Sequence, residues 1–109
     1  MRLLAVPIAI ALSASAAAET WTPAAGPDAL AGRSVTYASG ARQRFAASGA
    51  TLHDAGAPSW GRWEMRGSDY CSTWPPADGW VCYALEVSDR GRVRFRDASG
   101  GATVGTIDE

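Results

Sequence analysis

The sequence predicts an all-β fold: a small antiparallel meander of about eight short strands, curled into a half-open or closed barrel, with one short helical turn near its start. Three observations carry this. Short runs rich in β-branched and aromatic residues recur every eight to twelve positions, separated by Gly, Pro, Asp and Ser clusters. Within those runs apolar side chains alternate with polar ones, the pattern of a wall with one face to a core and one to water. Beyond residue 20 no stretch has the sustained 3.6-residue periodicity of a long helix.

Arg2 is followed by the apolar run Leu3–Leu12 and then by Ala16-Ala17-Ala18. A positive start, a short apolar run and small residues at the end read as a signal peptide over 1–18, cleaved after Ala18. About 20 apolar residues are needed to span a bilayer, so this run reads as a leader, and no membrane span is expected in the mature chain. The chain is rich in alanine and has ten arginines but no lysine. That composition resembles a bacterial secreted protein, and the expected location is the periplasm. Residues 19–32 are a Pro/Gly-rich lead-in, with a helical turn at Pro27–Ala31 stopped by Gly32. Residues 33–109 form the single β domain.

The expected strands are Ser34–Ala38, Arg42–Ala47, Ala50–His53, Ser59–Arg66, Asp69–Trp74, Trp80–Ser88, Arg92–Asp97 and Ala102–Ile107. The clearest pair is the sixth and seventh. Val81, Tyr83, Leu85 and Val87 alternate on one face, as do Val93 and Phe95. Asp89-Arg90-Gly91 reads as a three-residue hairpin loop with glycine in the left-handed position. This register sets Val87 opposite Val93, Leu85 opposite Phe95, Ser88 opposite Arg92 and Glu86 opposite Arg94. Slipping it by one residue would bury the charges and expose the apolar set.

Past residue 18 the chain has 37 apolar residues, but 15 are alanine, which leaves 22 larger ones to build a core. So small a core is expected to need a staple. Cys71 and Cys82 flank Pro75-Pro76-Ala77-Asp78-Gly79, a turn signal between two strand-like segments. They are expected to form a disulfide across a hairpin, which would contribute about 3 kcal/mol through loop-closure entropy. Ten intervening residues do not make a redox Cys-x-x-Cys pair.

Several function classes are excluded by composition. One histidine and two cysteines build neither a His cluster nor a Cys₄ zinc site; no metal and no cofactor are expected. The net charge is −1 for the whole chain, and no basic excess points to nucleic acid. His53, followed by Asp54, is the sole imidazole base, and it reads as an exposed strand-end residue. Glu64 and Glu86 are expected on the outer sheet face beside arginines, and no Gly-x-Ser-x-Gly motif occurs. No catalytic residues are assigned.

Two groups are candidate binding features. Arg92, Arg94 and Arg96 share the outer face of one strand, a possible anion-binding strip. Trp60, Trp63, Trp74, Trp80 and Tyr83 belong to an aromatic set large enough to line a pocket. Trp60 and Trp63 have opposite parity and cannot both face one core. Trp74 and Trp80 flank the Pro-Pro loop and are expected to be partly exposed.

Trp60-Gly61-x-Trp63, Tyr70-Cys71, Pro75-Pro76, Trp80-x-Cys82-Tyr83 and Gly91-x-Val93-x-Phe95, taken together, resemble small secreted proteins of alphaproteobacteria. The resemblance covers residues 30–107. It implies a lipocalin-like or partial-barrel β-meander of uncharacterised function and supplies no catalytic residue. The expectation is a monomeric, non-enzymatic, secreted binding or accessory module, taking a small apolar or anionic ligand or an envelope protein. One alternative is a protein-interaction module, such as an inhibitor of a periplasmic hydrolase, with the Pro75–Trp80 loop entering a partner cleft. A second is a small hydrolase using His53 or Glu64.

Overall fold

The computed structural model describes residues 18–108. The expected leader, except Ala18, lies outside the described residues. After β1 (Trp21–Pro23) and a 3₁₀ turn at Pro27–Ala29 come β2 (Arg33–Tyr37), β3 (Arg42–Phe45), β4 (Ala50–Asp54) and β5 (Pro58–Arg66). The chain continues through β6 (Asp69–Thr73), β7 (Val81–Ser88), β8 (Arg92–Arg96) and β9 (Ala102–Ile107). From β2 to β9 each strand pairs antiparallel with the next, and β9 returns to pair with β2. The meander is therefore a closed eight-stranded barrel. Closure removes the open edges that a small sheet would otherwise expose. The expected strands all form, with ends that differ by one or two residues.

The ninth strand is the exception. β1 lies outside the ring, on the edge of β7 that β6 does not reach. β6 pairs with β7 from Val81 to Ala84, and β1 takes over from Glu86 to Ser88. Part of the Pro/Gly-rich lead-in is thus a strand. Trp21 and Thr22 favour strands, but a three-residue segment ending in Pro23 is too short to be read as one; the overhang of the longer β7 gives it a partner.

The sixth and seventh strands of the ring pair as expected, with Leu85 opposite Phe95, Glu86 opposite Arg94 and Val87 opposite Val93. The Arg92 amide donates to Ser88 Oγ at 3.1 Å. Gly91 has φ +73°, the left-handed geometry that this hairpin requires and glycine adopts without a Cβ penalty.

Strand parity sorts side chains inward or outward, and position along each strand divides the inward ones into two levels. The closed end is packed by Ala24, Leu30, Val35, Phe45, Trp63, Leu85 and Val93. Leu30, just after the 3₁₀ turn, is fully buried there. The other level holds larger and more polar side chains and opens at the mouth formed by the β2–β3, β4–β5, β6–β7 and β8–β9 loops. Eight strands enclose an interior just wide enough to be filled by side chains or to hold one small ligand. Here side chains fill one part, and a cavity occupies the other.

Gly105 of β9 shows how tight the filled part is. A Cβ built there would stand 2.3 Å from Val35 Cγ1 and 3.1 Å from Tyr37 Cδ1. Gly105→Ala should therefore destabilise the fold by about 1–3 kcal/mol through overpacking. Urea unfolding measures this; an unchanged midpoint would mean that β2 and β9 move apart without cost.

Candidate functional site

At the open end the barrel encloses a cavity of about 590 Å³. Its walls include Tyr37 of β2, Gln43 of β3, His53 of β4, Tyr70 and Ser72 of β6, and Phe95 of β8. Tyr37, Gln43, His53, Ser72 and Phe95 meet because each occupies an inward-facing position near the mouth end of its strand, and Tyr70 stands one inward position below Ser72. Trp74 and Tyr83 complete the aromatic lining where β6 and β7 approach the rim.

A buried polar network forms the floor. Gln43 is only 6% exposed, and its amide is fully committed. Tyr37 donates its hydroxyl to Gln43 Oε1 at 2.7 Å. Gln43 Nε2 donates to Thr51 Oγ1 at 3.0 Å and to the Tyr70 hydroxyl oxygen at 3.2 Å. Thr51 donates onward to the Arg44 carbonyl at 2.8 Å. Burial pushes the Tyr37 and Tyr70 phenols above their ordinary range, so both remain protonated donors at neutral pH. The rings pack edge to face, Tyr70 on Phe95 at 5.1 Å and His53 on Trp74 at 6.3 Å.

Trp74 reaches the mouth because of Gly61. A Cβ at Gly61 would lie 2.7 Å from the Trp74 ring and from the Thr73 carbonyl oxygen. With no side chain at Gly61, the indole folds over β5, and its Nε1 donates to Ser72 Oγ at 3.2 Å.

The lining contains aromatic rings, hydroxyls, an amide and one imidazole, but no arginine, aspartate or glutamate. His53 is a correction to the sequence reading: it is half-buried and faces the mouth between Tyr37 and Trp74. Glu64 points to the other side of the wall, where it accepts from Arg66 at 2.9 Å. The two residues considered for hydrolysis thus lie on opposite faces.

Of the other candidate binding residues, Trp74 and Tyr83 line the cavity and the rest do not. Trp63 lies below it, in the core, donating Nε1 to the Ala46 carbonyl at 2.9 Å. Trp60 is on the outer face and 62% exposed. Trp80 is also outside, with the Arg66 guanidinium 5.5 Å from its ring centroid. Parity in the sequence separates Trp60 from Trp63, and Tyr70 belongs to the aromatic set read there as pocket-forming and does line the cavity, but Tyr37, Gln43 and Ser72 carry no such signal. Their inward parity is visible in the sequence; their common level is set by the stagger between strands.

The arginine strip is outward, as expected, but its charge is largely taken up. Arg94 and Arg96 both donate to Glu86, at 3.0 and 2.6 Å. Arg92 pairs with Glu19, and Trp21 of β1 lies beneath Arg94 at 4.3 Å. The hydrogen bonds from Arg92 hold the Glu19 carboxyl down at about 2, and those from Arg94 and Arg96 hold Glu86 below its ordinary range. Arg92 on Glu19 and Arg94 over Trp21 tie the residues around β1 to the barrel wall, while Glu86 ties Arg94 and Arg96 across β7 and β8.

Cys71 and Cys82 face each other across β6 and β7 and are joined by a disulfide. Both point outward. Among the described residues, no helix is long and apolar enough to cross a membrane. Among the same residues no group of three His, Cys, Asp or Glu side chains gathers as a metal site. Comparison with protein-family models, curated proteins and solved structures gives no match.

Proposed function

We propose that this chain is a non-enzymatic binding module that holds one small, uncharged, largely apolar molecule in the barrel mouth. The observation that carries this is a cavity of about 590 Å³ walled by aromatic rings, with no formally charged side chain apart from what His53 can acquire. Ligand sites are typically concave, mostly apolar and several hundred Å³ in size, with a few placed polar groups. Burying a ligand's charge without a counter-charge costs several kcal/mol, so the anionic alternative is disfavoured. The leader over 1–18, the disulfide and the resemblance to small secreted proteins support a periplasmic setting.

The test uses two probes that share one scaffold, N-phenyl-1-naphthylamine and its sulfonated relative 8-anilinonaphthalene-1-sulfonate. The neutral probe should bind one per chain, with saturable fluorescence enhancement, at least tenfold more tightly than the sulfonate. Trp74→Ala should weaken it, because the indole forms part of the wall. Absence of saturable binding, or preference for the sulfonate, would overturn the proposal.

A further inference from the structure

We propose that the mouth selects ligands bearing a hydrogen-bond acceptor of the carbonyl type on a flat aromatic body. The inference rests on the mouth being a ligand site and goes on to specify the chemistry it takes.

The hydroxyl hydrogens at the cavity floor point to this chemistry. The Gln43 amide orientation is fixed by Thr51, whose hydroxyl hydrogen goes to the Arg44 carbonyl so that its oxygen accepts from Nε2; Nε2 also donates to Tyr70, and Oε1 accepts from Tyr37. The Tyr70 oxygen accepts, and its own hydrogen remains. The Ser72 oxygen likewise accepts from Trp74 Nε1, and its own hydrogen remains. Tyr70 and Ser72 are successive inward residues of β6, and both line the cavity. The Tyr83 ring stacks on Tyr70 at 6.4 Å. A hydroxyl whose oxygen already accepts is left with its O–H to give.

Tyr70 and Ser72, whose oxygens already accept, thus each offer a hydrogen toward the cavity they line. A carboxylate would satisfy them, but the uncharged wall offers no counter-ion. A neutral oxygen acceptor satisfies them without charge burial, since burying a polar group is cheap only when it is hydrogen-bonded. The surrounding rings of Tyr70, Trp74, Tyr83 and Phe95 set the shape requirement. Aromatic faces and edges bind flat π-systems better than bulky aliphatic ones.

A matched pair of ligands isolates the acceptor. 2-Acetylnaphthalene and 2-isopropenylnaphthalene differ by C=O against C=CH₂ and are close in shape. Each is titrated against bound N-phenyl-1-naphthylamine on the disulfide-intact protein. The ketone should displace the probe at about tenfold lower concentration, the size of one net hydrogen bond to a buried group. Tyr70→Phe and Ser72→Ala, singly and together, should shrink that preference while the hydrocarbon still binds. Independently of any variant, the bound ketone's C=O stretch should move to lower wavenumber than in cyclohexane. Equal displacement by both compounds, an unshifted carbonyl band, or a preference that survives the paired substitution would overturn the inference. Probe binding without ketone preference removes only this inference. Absence of probe binding removes the site itself.

Discussion

Phe45→Ala should cost about 3–5 kcal/mol and move the urea unfolding midpoint to much lower concentration. Phe45 is fully buried and stands at the junction between the two levels of the barrel. Its ring meets Trp63 and Tyr70 edge to face at 5.7 and 5.6 Å and stacks on Phe95 at 6.4 Å. Truncation removes the transfer free energy of the ring and opens a cavity that a closed wall of strands cannot collapse to fill. A domain of this size has about 5–10 kcal/mol in total, so the loss is a large fraction of it. Urea titration by tryptophan fluorescence measures it directly, and Phe45→Leu should cost much less because volume is better kept. A loss below about 1.5 kcal/mol for the alanine variant would mean that the barrel is more plastic than its packing implies.

The same residue marks what could be read from the sequence. Arg42-Gln43-Arg44-Phe45 alternates so strictly that Phe45 had to face inward if β3 formed. Glycine in the Asp89–Gly91 turn fixed the β7–β8 register, and with it the Glu86–Arg94 pair. Both are local signals, resolved within one or two strands. The cavity is different. The Tyr37–Gln43 hairpin and the Tyr70–Ser72 segment are far apart in sequence and come together only through closure and stagger of the ring. His53 looked like a strand end bound for solvent, and it is a strand end, but one that opens onto the mouth. Gln43 illustrates the same point. In the sequence it is a polar residue between two arginines, and nothing nearby indicates that hydroxyls from β2, β4 and β6 will surround it. β1 is the extreme case, a strand made by its partner's overhang.

Removing the disulfide with Cys71→Ala and Cys82→Ala should lower stability by about 3 kcal/mol and the thermal midpoint by roughly 12–24 °C. The bond closes a segment whose ends are 11 positions apart, a loop that includes Pro75-Pro76 and Gly79. Without it the unfolded chain regains that freedom, whereas the folded pair of strands keeps its ladder from Asp69 to Ser72. The effect should reach the site as well. Trp74 lies three residues beyond Cys71, between the disulfide and the loop, and its indole is held at the rim by Gly61 below and Ser72 beside it. Loosening the loop should therefore weaken N-phenyl-1-naphthylamine binding even at temperatures where the barrel is intact. Thermal melts and probe titrations on the oxidised protein, the dithiothreitol-reduced protein and the double variant separate the two effects. Reduction leaves both sulfur atoms in place and tests the bond without a change of side chain. If the reduced and oxidised proteins melted together, the ladder alone would hold β6 to β7, and the disulfide would have no part in stability. If the melts differed but probe binding did not, Trp74 would be held by the wall of the barrel and not by its loop.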